Sequence, residues 1–130
     1  MTADLSLLHP DILPLCNQLM TDLAAKGFSA KVTTTYRAPA VEDALSSAVT
    51  SVTAKTSKHC TTLSDGTPAA KAFDISCFDA DGNYITNGDD ESYSAAGALW
   101  QSYAAENPSL GLIWGGTWRV PHDPDHFQIA

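Results

Sequence analysis

Three stretches of this chain could carry chemistry: Ser57-Lys58-His59, Ala72-Phe73-Asp74-Ile75 and Asp123-Pro124-Asp125-His126-Phe127. Together they offer two imidazoles, a carboxylate set among apolar neighbours, and a spare carboxylate three residues before the second imidazole. Two histidines and one carboxylate that converge can hold a zinc ion and leave one position open for water. A further carboxylate nearby can take that water's proton. The pattern points to metal-assisted hydrolysis.

Convergence requires elements that bring these stretches together. Ile12, Leu15, Cys16, Leu19 and Leu23 recur at helical spacing between Pro10 and Gly27. The β-branched run Val32 to Thr35 predicts a strand over Ala30 to Tyr36. Pro39 opens a second predicted helix, with Val41, Ala44, Leu45, Ala48, Val49 and Val52 as its inner face. Residues 53 to 70 are rich in Thr, Ser, Asp, Gly and Pro and predict a loop. Lys71 to Phe78 alternates as a strand, with Phe73, Ile75 and Cys77 on one face and Ala72, Asp74 and Ser76 on the other. Asp81-Gly82 signals a hairpin with a short return strand at Tyr84-Ile85. Glu91 to Asn107 predicts a third helix, striped by Ala96, Leu99, Trp100 and Tyr103. Short strands are expected at Leu110 to Trp114 and at His126 to Ile129, where Phe127 and Ile129 would enter the core and His126 would face away. Pro124 interrupts the last strand and lets Asp123 curl back toward His126 from a turn. Helices and strands mix without strict alternation. The expected class is α+β: a small antiparallel sheet carries the site, with about three helices packed on it.

Composition narrows the function. The 130 residues suit one domain. A formal charge of −8, with seven scattered Lys and Arg, argues against nucleic acid. No apolar run is long enough to insert in a membrane, and the first residues lack the pattern of a secretory signal. Three cysteines without a CxxC pair argue against both a disulfide framework and a thiolate zinc site. Cys16 and Cys77 read as small buried hydrophobes. Cys60 is expected to point away from His59, as its neighbour in an extended segment. Asp79-Ala80-Asp81-Gly82 has oxygen ligands for calcium, but its glycine comes too early for an EF-hand loop, and a solvated turn is the expectation.

These contexts resemble a known family. Ser57-Lys58-His59 followed by Ala70-Lys71-Ala72-Phe73-Asp74-Ile75 is similar to the SxH…GxAxD element of zinc D,D-peptidases and L-alanyl-D-glutamate endopeptidases, which share the hedgehog/DD-peptidase fold. Trp114-Gly115-Gly116-Thr117-Trp118, then Asp123-Pro124-Asp125-His126, resembles the family's second element. Tyr36-Arg37, between a strand and a helix, resembles its Tyr-Arg pair. The resemblance runs from about residue 30 to 130, in the family's order.

It implies a zinc metallopeptidase acting on peptidoglycan stem peptides. His59, Asp74 and His126 would be the zinc ligands and Asp123 the general base. Arg37 would steady the developing oxyanion or a substrate carboxylate. Ser57, Tyr36 and Trp118 would border the substrate, and Ser57 would orient its loop. Trp114 would either wall the cleft or pack in the core. The small size resembles phage endolysins, which accumulate in the host cytoplasm until they are released to the wall, and a monomer is expected. Two departures stand out. Fourteen residues separate His59 from Asp74, more than the family's usual spacing, so Cys60 to Pro68 must loop out. Asp65 is the competing ligand at the shorter spacing, and His122 is a possible extra one. The family's Gly before the motif's Ala is replaced by Ala70.

Overall fold

The structure, a computed structural model, describes residues 3–49, 57–119 and 122–130. Three helices, α1 (Leu13–Ala25), α2 (Pro39–Val49) and α3 (Glu91–Glu106), accompany four strands. The strands are β1 (Ser29–Thr34), β2 (Ala72–Phe78), β3 (Ile113–Trp114) and β4 (His126–Gln128). They form one antiparallel sheet in the order β1-β2-β4-β3. The α+β expectation holds. Among the described residues no helix is long and apolar enough to cross a membrane.

Alternation divides the sheet into two faces. Phe73, Ile75 and Cys77 of β2 are fully buried, as are Phe127 of β4 and Trp100 of α3. Phe73 stacks on Phe127 at 5.4 Å, and both meet the Trp100 indole edge-on. Burying each such side chain contributes about 1.5–3 kcal/mol. Helices α1 and α3 cover this face through Cys16, Leu19, Leu23, Ala96 and Tyr103, and the Tyr103 hydroxyl donates to Asp22 across the two helices. Helix α1 starts after Ile12 with Pro14 in its first turn, and Gly27 follows its end at φ 88°, a conformation natural to glycine. Asp90 caps α3 by accepting from Ser92 N at 3.0 Å.

Three expectations differ from the fold. Helix α2 does not present Val41 and Ala44 inward: Val41 is 51% exposed, Ala44 is exposed, and Glu42 between them is buried. In this first turn the buried position is taken by Glu42, which pairs with Arg37. The side chains of Leu45, Ala48 and Val49, and all of Val52, lie outside the described residues. The return strand at Tyr84-Ile85 shrinks to one bridge, Phe78 to Tyr84, with Ile85 N donating to Cys77 O at 2.8 Å. The strand expected from Leu110 is regular only at Ile113–Trp114, because Pro108–Leu110 turns as a 3-10 helix ending on left-handed Gly111.

Candidate active site

The other sheet face carries the chemistry. Asp74 lies directly opposite His126 in the β2–β4 ladder, so pairing register alone brings two of the groups together. Residue 74 also faces Thr34 of β1, past an irregularity between Val32 and Thr34. His59 arrives from outside the sheet on a 3-10 turn, Lys58–Cys60. Ser57 caps that turn, its hydroxyl accepting from His59 N at 3.2 Å. The long spacing before Asp74 is absorbed by a tight excursion. Leu63 N donates to Thr67 O at 2.9 Å, Thr62 bridges Pro68, and Lys71 N returns to Lys58 O at 2.9 Å. The segment from Thr61 to Ala70 thus leaves and rejoins the chain beside His59.

The geometry is close. Asp74 Oδ1 is 3.1 Å from His126 Nδ1 and 3.4 Å from His59 Nε2. The two rings meet edge-on at 5.1 Å. His59 Nδ1 donates to Thr35 O at 2.7 Å, and His126 Nε2 donates to Gln128 Oε1 at 2.9 Å. In neutral rings those bonds leave lone pairs on His59 Nε2 and His126 Nδ1, both directed at a carboxylate oxygen. Three acceptors this close require a proton or a cation between them. The second ring nitrogens are held as metal-ligating histidines are usually held. The donor set, two nitrogens and one oxygen within 4.8 Å of one another, fits zinc. Burial works to raise the Asp74 pKa, but hydrogen bonds and charge from His126 and His59 outweigh it and hold the carboxyl well below its usual range. Burial works to lower His126, and Asp74 more than offsets it, so the ring's pKa is raised.

Asp123 stands beside this trio, Oδ2 3.9 Å from His126 Nδ1, and its side chain is more exposed than that of Asp74. The turn expected from Pro124 is present: His126 N donates to Asp123 O at 3.1 Å. Gly115 makes room for that turn, because a Cβ there would meet Asp123 O at 2.2 Å. Asp125 was not singled out from sequence. Ile75 N donates to its carbonyl at 3.0 Å, and its carboxylate comes within 4.8 Å of those of Asp74 and Asp123. Burial, a hydrogen bond with Asp123 and the charge of Asp74 push its pKa up to about 8.

Arg37 Nη2 lies 3.7 Å from Asp74 Oδ2, while Nη1 donates to Glu42 Oε2 at 2.7 Å. Trp118 packs on His126 at 5.0 Å between ring centres, and Tyr36 is half-buried against the core. Ser57 is buried, its hydroxyl engaged with His59 N and Glu42. Trp114 supports rather than lines the site: its indole lies against Gly97 and Gly116, and Nε1 donates to Pro124 O at 2.7 Å. Asp65 is apart from the trio, in an exposed turn where it accepts from Thr67 N at 2.9 Å. His122 is half-exposed and directs Nε2 toward Asp89 at 3.8 Å, away from the three ligand atoms. Asp79 uses its carboxylate on Asp81 N and Asn83 N, as a turn does. Cys60 sits in the 3-10 turn rather than an extended segment, and it is not among the clustered groups.

Sequence reasoning missed Glu42, Gln128 and Asp125. Gln128 was within reach, because residues two apart on a strand share a face. Glu42 carried no signal beyond lying five positions after Arg37.

Residues 11–129 match the D-alanyl-D-alanine carboxypeptidase family. No curated protein is significantly similar in sequence. Among solved structures, the L-Ala D-Glu endopeptidase ChiX of Serratia marcescens superposes with a TM-score of 0.66 at 22% identity. The match covers 97% of this chain and 83% of that one, and it shows a shared fold. With nearly its whole length matched, the chain belongs to the D-alanyl-D-alanine carboxypeptidase family of peptidases.

Proposed function

We propose that this protein is a zinc-dependent peptidoglycan peptidase that hydrolyses an amide bond of the stem peptide, as an endolysin-type L-alanyl-D-glutamate endopeptidase. The observation that carries the reading is the trio of inward-facing acceptors on His59, Asp74 and His126, with the Asp123 carboxylate beside it. The fold shared with ChiX favours the endopeptidase, and the family description favours D-alanyl-D-alanine carboxypeptidase activity as the second reading.

When bound, zinc supplies a Lewis acid and lowers the pKa of water toward neutrality. The rest belongs to the chain. Thr35 O and Gln128 Oε1 hold the opposite N–H groups of His59 and His126, so the neutral rings present His59 Nε2 and His126 Nδ1 as the ligand nitrogens. Asp123 takes the proton of the attacking water and returns it to the departing amine. Arg37 offers positive charge on the Asp74 edge, where it steadies the oxyanion of the scissile carbonyl or a substrate carboxylate. Trp118 borders the substrate beside His126. A cleft of about 300 Å³, lined by Tyr84, Tyr93, His122, Pro124 and Asp125 among others, opens beside the turn that carries Asp123. The same reading holds the enzyme in a host cytoplasm until it is released to the wall.

The test is digestion of defined muropeptides by zinc-loaded protein, read by mass spectrometry. Cleavage after L-Ala is expected. Release of terminal D-Ala would establish the carboxypeptidase instead, and intact muropeptides with zinc bound would reduce the protein to a binding domain.

A further inference from the structure

Arg37 stands at the edge of the trio, yet the sheet does not fix it there. Its 3.7 Å approach to Asp74 is too long for a hydrogen bond. Holding so long a side chain in one rotamer costs conformational entropy unless a partner fixes it. Glu42 is what holds it. Nη1 donates to Glu42 Oε2 at 2.7 Å, the length of a charge-assisted bond. Glu42 is only 5% exposed, in the first turn of α2. A carboxylate so buried is unfavourable unless paired, and this one has a second partner in the Ser57 hydroxyl. The Ser57 oxygen also receives His59 N, and the Arg37 backbone N–H donates to His59 O at 2.9 Å. One buried carboxylate therefore ties the guanidinium and the His59 turn into a single unit. Glu42 is the residue that the first turn of α2 buries, while Val41 stands in solvent.

We propose that Glu42 is a positioning residue: it occupies Nη1 of Arg37 so that Nη2 stays directed at the Asp74 edge, where charge develops on the substrate. The proposal rests on the peptidase reading above. A mere helix anchor would predict something different, namely an effect on stability that is independent of Arg37.

Two variants separate the cases. Glu42→Gln keeps the shape and removes the charge, and Glu42→Asp keeps the charge but withdraws it by one methylene. In zinc-loaded enzyme each is expected to lower kcat about ten- to a hundredfold, the penalty of a misplaced group, with KM and zinc stoichiometry unchanged. In an Arg37→Ala background, Glu42→Gln is expected to cause no further loss. An unchanged kcat, or a loss that adds fully to that of Arg37→Ala, would overturn the proposal. Nitrogen-15 relaxation at Arg37 Nε gives a readout free of turnover. The group is expected to be ordered in the parent and mobile on the ps–ns scale in both variants. An Arg37 that stays ordered in both overturns the proposal whatever the kinetics. A parent enzyme that cleaves no muropeptide sinks the peptidase reading instead, and relaxation still decides whether Glu42 holds Arg37.

Discussion

The two faces of strand β2 are separated by the thickness of one backbone and follow opposite rules. On one, Phe73, Ile75 and Cys77 are fully buried among apolar neighbours, where contacts are many, individually weak and tolerant of similar shapes. On the other, Asp74 stands among His59, His126 and Arg37, where three acceptors crowd within 4.8 Å and each depends on a particular partner. The first face stabilises the sheet, and the second holds groups that would repel each other without a cation or proton. The two sides meet in one ladder: the Phe73–Phe127 stack lies one pair away from Asp74 and His126 and adds to the stability of the sheet that carries them.

Substitutions should divide along the same line. The largest effect is expected from His126→Ala, which removes a ligand: zinc binding and hydrolysis should both vanish while far-UV circular dichroism stays unchanged. Loss of the fold instead would mean that the two faces are not separable. Asp123→Ala comes next. It should retain one zinc per chain and lose about 10²- to 10⁴-fold in kcat, the usual contribution of a general base. Full activity in that variant would remove Asp123 from the proton chemistry. Phe127→Ala should behave in the reverse sense, costing about 3–5 kcal/mol in urea unfolding while the folded fraction still binds zinc. Equal losses of stability and of metal affinity would blur the contrast. The smallest effect concerns Cys16, whose thiol pKa burial pushes up to about 12. It should resist alkylation at pH 8 in native protein, and rapid labelling would show that the apolar side opens.

The apolar face was legible in sequence because alternation at 73, 75 and 77 and helical spacing in α1 and α3 state it directly. Asp74 and His126 were legible for the complementary reason: each is a polar residue out of phase with buried neighbours. The site's connections were less so. Asp125 joins the carboxylates only because the turn before β4 docks its carbonyl on Ile75 N, a tertiary contact. Glu42 interrupts what reads as an apolar stripe, and pattern reasoning favours Val41 because it cannot see that Arg37 needs a partner. The excursion between Thr61 and Ala70 reads as a composition-biased loop, whereas its return to Lys58 depends on hydrogen bonds that spacing does not reveal.

The most direct test is a crystal of zinc-soaked protein measured at the zinc absorption edge. A single anomalous peak is expected at bonding distance, about 2.0–2.2 Å, from His59 Nε2, Asp74 and His126 Nδ1. A peak on Asp123 and Asp125 that leaves the two imidazoles unbound, or no peak at all, would contradict the account.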